Sequence, residues 1–194
     1  MNTLTDFADQ AVILPVYGLA FVALLAMGWW RAAFAWLGVV AVVFSLVLVG
    51  KVAAFDCGGA LAREIGLRSP SGHTASAAMV YGGLLGLLRK GGRRQMIAPL
   101  LALGFAVVIG ISRIALGAHS VIEVIVGGAI GITGAWAVVR LAGPRPVQLR
   151  YLRRAMLAIM VVALLAHGIR LPAEARIASV ARTIWPFSLC RMPG

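Results

Sequence analysis

The sequence predicts an all-α integral membrane protein, a six-transmembrane-helix bundle forming one membrane-embedded domain over residues 1–194. Three observations predict it. Hydrophobic residues make up 61% of the chain and charged residues only 12%, where soluble domains sit near half and a quarter. Mean hydropathy is +0.96, more apolar surface than one small core can hide from water. The apolar residues are also gathered into runs near the length needed to cross a bilayer, roughly 20 residues.

In chain order the runs are about Ala11–Trp30, Ala32–Ala54, Thr74–Leu88, Met96–Ser112, Ser120–Leu141 and Ala155–His167. The third and sixth are the shortest. Pro15 and Pro99 lie near the starts of their runs, where a missing N–H is tolerated. Gly82 and Gly86, and again Gly127 and Gly131, are four residues apart, a spacing that lets helix backbones approach closely in lipid. Glycine is also generally common in membrane helices.

Net charge is +12, from 18 Lys+Arg against 6 Asp+Glu. The basic residues fall between apolar runs and form no stripe on a polar face, so the charge points to lipid headgroups and not to nucleic acid. Arg31, the Arg89–Arg94 cluster and the group from Arg140 to Arg154 lie in alternate connections and hold ten of the 18 basic residues. The positive-inside rule assigns those connections to the cytoplasm. Both termini, the Phe55–His73 loop, the Arg113–His119 segment and the C-terminal tail 170–194 are then expected outside. The polar, acidic start Met1–Gln10 has no basic region before the first apolar run, which predicts no cleavable signal peptide.

Two of the outer segments concentrate the reactive side chains. Arg68-Ser69-Pro70-Ser71-Gly72-His73-Thr74 precedes the third apolar run. Ser71 or Thr74 suits a helix cap, and exposed amides at a helix start attract anions. A plain capped turn with an incidental histidine is the simpler reading of this segment alone. In Ser112-Arg113 through His119 to Glu123, the histidine and the acid are four apart and share a helical face. A carboxylate there can accept an imidazole N–H and orient the ring for nucleophilic or base chemistry. Glu123 is also the one acid inside an apolar run, and an ionisable group at membrane depth suggests function, though a buried structural pair would also explain it.

Together, Pro70-Ser71-Gly72-His73 and Ser112-Arg113, five residues, His119, three residues and an acid resemble the type 2 phosphatidic-acid-phosphatase superfamily of membrane lipid phosphatases. The resemblance runs from Lys51 to Glu123, the expected catalytic core, with its active site at the outer face. It departs from the family pattern at two places. The family's final acid is Asp, one methylene shorter than Glu123. Its first motif, Lys, six residues, Arg-Pro, survives here only as Lys51, because Gly58-Gly59 stand at the Arg-Pro positions.

The resemblance implies that His119 attacks phosphorus, Glu123 orients it, and His73 protonates the leaving oxygen. It implies phosphate contacts from Lys51, Ser71, Gly72 and Arg113, with Arg68, or else Arg63, in place of the absent arginine. Neither a metal nor a cofactor is implied. The implied partners are the lipid bilayer and a lipid phosphate substrate: undecaprenyl pyrophosphate, phosphatidylglycerol phosphate, phosphatidic acid or a lipid A phosphate. Transfer to a second lipid would use the same residues, and a non-catalytic lipid-binding or transport protein would fit the loss of Arg-Pro. His167 is expected at the interface, away from the chemistry. The two cysteines, Cys57 and Cys190, both fall on the outer side, where a disulfide and two thiols are both open. The oligomeric state has no sequence signature.

Overall fold

Helices account for all the regular structure among the described residues, which in this computed structural model are 2–64, 66–89, 91, 93–146, 151–169, 171 and 179. A short α1 (Asn2–Asp6) leads into α2 (Gln10–Ala26) and the long α3 (Trp30–Glu64). Next comes one continuous run made of α4 (Gly72–Ala77), a π-helical turn (Ala78–Gly82) and α5 (Gly83–Leu88). The chain continues through α6 (Arg94–Ala115), α7 (Val121–Leu141) and α8 (Leu152–Ala166).

All six predicted apolar runs are helical, and among the described residues four helical stretches are long and apolar enough to cross a membrane. These are Thr3–Ala26, Trp30–Ala53, Gln95–Ala115 and Val121–Leu141. The run from Gly72 to Leu88 and α8 are the shorter ones. The protein is therefore a multi-pass membrane protein. One expectation needs correction: Phe55–Glu64 is not loop but the last three turns of α3. At 1.5 Å per residue the 35 residues of α3 reach about 50 Å, well beyond a hydrocarbon core about 30 Å thick.

Side-chain size is sorted as lipid demands. On α6 the buried apolar side chains are Ala98, Ala102, Ala106 and Ile109, while Met96, Leu100, Leu103, Val107 and Ile111 face outward. Water would reverse that order. In lipid, helices gain nothing from hiding large apolar groups, and close backbone packing drives their association. Gly82 and Gly86 accordingly abut Ala102 and Ala98 of α6, where an added Cβ would lie 2.5 Å from each alanine Cβ. Larger buried groups, including Ile13, Leu24, Trp36, Met79 and Leu87, fill the centre among α2, α3, α5 and α7.

Opposite ends of the bundle are chemically distinct. At one end Arg31 Nε donates to Leu141 O at 2.9 Å, Trp29 Nε1 to Ala142 O at 3.0 Å, and Arg140 Nη1 to Gln95 Oε1 at 2.9 Å. The basic connections gather there. The other end carries both motif segments.

Gly127 fixes how closely α4 approaches α7, because a Cβ at this position would stand 2.4 Å from Ser71 O. Gly104 of α6 has nothing within 4 Å of the same point. Gly127→Ala is expected to lower stability by about 1–3 kcal/mol through overpacking. Gly104→Ala is expected to be neutral or to add about 0.5–1 kcal/mol. Thermal unfolding of the two variants in detergent checks the contrast.

Candidate active site

Glu123 organises the site. Ser120 caps α7, its Oγ accepting the Glu123 N–H at 3.3 Å, while Glu123 Oε2 accepts the Ser120 N–H at 3.0 Å. This reciprocal capping box satisfies two helix-start amides. The same Oε2 meets His119 Nδ1 at 2.8 Å, and Oε1 accepts the backbone N–H groups of Arg68 at 2.8 Å and Ser69 at 2.9 Å. Four N–H groups thus converge on one carboxylate that is only 3% exposed. Such saturation is what a buried charge requires.

Those bonds carry the first motif to the second. Glu123 O also accepts the Ser71 N–H at 3.0 Å, and Ser120 Oγ donates to Gly66 O at 2.8 Å. Segment 66–71 is thereby laced onto the start of α7 over its whole length. Ser71 then caps α4, with its Oγ 2.9 Å from Thr74 Oγ1. On the other side Pro70 presses on α3, where a Cβ at Gly50 would fall 2.7 Å from Pro70 Cγ. The Pro70–His73 segment is wedged between α3 and α7.

Lys51 belongs to this wedge. It is 6% exposed, and its Cε lies 3.6 Å from where a Gly72 Cβ would be. A lysine that reached past the helix end toward water would be exposed, and this one is buried against the motif glycine. Arg68 joins the site through its main-chain amide on Glu123, and its side chain is exposed. Arg113 sits in the last turn of α6, where its carbonyl accepts the Ala118 N–H at 3.0 Å. Gly117, at φ +64°, turns the chain from that helix toward His119, a conformation glycine adopts without steric cost. The Arg63 side chain, the Cys57 side chain and all of Cys190 lie outside the described residues, and the disulfide expectation with them.

Sequence reasoning missed three contributors. The Ser120–Glu123 capping box is legible as Ser-x-x-Glu before an apolar run. The N-terminal segment is the second: Thr5 Oγ1 hydrogen-bonds Ser112 Oγ, and the Phe7 carbonyl accepts the Tyr81 hydroxyl at 2.6 Å. Asp9 is the third. It caps α2 by accepting the Ala11 N–H on Oδ1 at 2.9 Å, and its Oδ2 lies 3.7 Å from His73 Nε2. No local signal relates residue 9 to residue 73. His167 packs on the Phe7 ring with centroids 4.5 Å apart and places Nε2 2.9 Å from Thr3 O. It ties α8 to the N-terminus.

Two of the described groups suit nucleophilic chemistry on an anion. With Nδ1 committed to Glu123, His119 has Nε2 as its nitrogen for attack, and the His119 side chain is 4% exposed. His73, at 17% side-chain exposure, is the more accessible of the two imidazoles. Among the described residues no cluster of His, Cys, Asp and Glu could hold a metal ion.

The model of the PAP2 superfamily matches residues 53–146, which include His73, Arg113, His119 and Glu123 but not Asp9 or Lys51. An uncharacterized 22.5 kDa protein in the cps region of Klebsiella pneumoniae is 27% identical over 187 residues, covering 93% of this chain and 89% of that protein. No solved structure matches the chain. The stretch that carries both motifs and the His119–Glu123 pair belongs to the PAP2 superfamily.

Proposed function

We propose that this protein is a metal-independent lipid phosphatase acting at the outer face of a bacterial inner membrane, with both termini on that side. The observation that carries the reading is the His119 Nδ1–Glu123 contact of 2.8 Å, buried beside the Pro70–His73 segment. A carboxylate on Nδ1 fixes the tautomer that exposes the Nε2 lone pair. PAP2 membership supports a phosphoric-ester hydrolase in general.

The chemistry follows from the positions. His119 Nε2 attacks phosphorus and forms a P–N bond as the P–O bond to the lipid breaks. The electron pair of that bond leaves on the oxygen, which takes a proton from His73. Water then attacks the phosphohistidine, gives a proton to His73, and the P–N bond breaks to restore His119. Charge on the transferring group is spread over its equatorial oxygens, so fixed cations and amides are the main resource for lowering the barrier. Lys51, Arg113, Ser71 and the Gly72 amide supply them, and Arg68 provides the guanidinium that the Gly58-Gly59 sequence lacks.

A lipid substrate is supported by an apolar groove of about 620 Å³ between α3 and α7, lined by Val39, Val42, Leu46, Ile130 and Ala137 among others. The groove runs along the two helices that carry Lys51 and Glu123. Undecaprenyl pyrophosphate is the first choice of substrate. Phosphatidylglycerol phosphate, phosphatidic acid and lipid A phosphates follow.

Phosphate release from a panel of these lipids by the purified protein tests the reading. Wild type is expected to turn over at least one of them, and His119→Ala to lose at least about a thousandfold in rate. Undiminished release by His119→Ala would remove it as nucleophile.

Glu123 makes a separate prediction. Glutamine offers one acceptor oxygen to four N–H donors and turns its NH2 group toward the others. Glu123→Gln is therefore expected to lose about a hundredfold or more in rate and to unfold at lower temperature, since each hydrogen bond to a charged group contributes about 1.5–3 kcal/mol. Wild-type turnover with a lowered melting temperature would make the acid purely structural.

A further inference from the structure

Asp9 stands outside the segment matched by the family and reaches the site from the start of α2. It is 7% exposed, and its two oxygens are differently employed. Oδ1 accepts the Ala11 N–H at 2.9 Å and the Leu171 N–H at 3.1 Å. The first is the cap of α2, and the second comes from the chain just beyond α8. Two backbone donors, one at the start of α2 and one beyond α8, thus anchor this oxygen. Oδ2 is directed to His73 Nε2 at 3.7 Å.

A cap alone does not explain this arrangement. Serine, threonine or asparagine would close the first turn of α2 equally well, with no charge to bury. Only an ionised carboxylate also supplies a negative partner to an imidazole in ion-pair range. The separation exceeds a hydrogen bond, and catalytic contacts are commonly long before substrate arrives.

We propose that Asp9 is the positioning residue of the general acid, holding His73 in the orientation and proton-bearing form that donates to the leaving oxygen. The proposal rests on the phosphatase reading above. In the first step the P–O bond of the lipid breaks, its electron pair stays on the oxygen, and one proton of the His73 imidazolium moves to that oxygen. The ring becomes neutral while Asp9 remains ionised. In the second step the ring takes a proton from the attacking water and regains its charge beside Asp9. Each histidine of the site then has its own carboxylate: Glu123 for the nucleophile and Asp9 for the acid.

Leaving-group dependence separates this role from a structural one. An aliphatic alkoxide cannot depart without a proton, whereas p-nitrophenolate can. The test compares kcat/KM of wild type and Asp9→Asn, purified in detergent, on dioctanoyl phosphatidic acid and on p-nitrophenyl phosphate. Asparagine keeps the acceptor for Ala11 and Leu171. The expected loss is about a hundredfold on phosphatidic acid and less than about threefold on the aryl ester, which places the defect in proton donation.

Equal losses on both substrates, or no loss on either, would overturn the role of Asp9 and leave the phosphatase reading standing. Where wild type turns over a different lipid of the panel, that lipid replaces phosphatidic acid in the comparison. Wild type inactive on the whole panel would overturn that reading and the proposal together. Should Asp9→Asn fail to fold, Asp9→Ser keeps the cap of α2 and repeats the comparison. Failure of both variants to fold would assign Asp9 to structure alone.

Discussion

One carboxylate near the start of α7 is the constraint from which the rest of this site follows. Burying an ionised Glu123 costs several kcal/mol unless its oxygens are filled with donors. The chain fills them with four, drawn from a helix start, an imidazole and a distant loop. The requirement runs both ways. The charge holds the loop in place, and the loop makes the charge tolerable. The position of segment 68–71 is therefore coupled to the orientation of His119, and a disturbance of one reaches the other through a single side chain.

The same residue accounts for the departure from the family's aspartate. A glutamate at the third helical position is long enough to turn back to its own cap residue while reaching both the preceding histidine and the loop. The extra methylene thus serves the capping box and is compatible with a short contact to His119. Around this point the backbones come together because the side chains between them are absent. Gly127 admits the Ser71 carbonyl, and Gly50 admits Pro70. Packing by small residues and pinning by a saturated charge act on the same loop from two sides.

Much of this was legible in the sequence. Among the described residues the apolar runs located all four stretches long and apolar enough to span, because a membrane helix announces itself through unbroken hydropathy. The motif residues His73, Arg113, His119 and Glu123 stood out because reactive side chains are sparse in so apolar a chain. The end of α3 was not legible. Phe55–Glu64 contains Asp56, Gly58 and Gly59, and two adjacent glycines lower helix propensity by about 1 kcal/mol each, so hydropathy and propensity both signalled a loop. Asp9 was hidden for another reason. Its importance lies in a contact 64 residues away in sequence, and a single chain carries no record of that pairing.

The hydrogen bond from Leu171 to Asp9 sets an order of events during synthesis. Asp9 precedes Leu171 by 162 residues, so its full set of partners exists only after α8 has been made. His119 and Glu123 can pair as soon as α7 forms, but the carboxylate beside His73 waits for the segment just beyond α8. A nascent chain that stalls before residue 171 carries the His119–Glu123 pair without a fully fixed Asp9. Assembly of the helices is in this way registered where the start of α2 meets the segment just beyond α8.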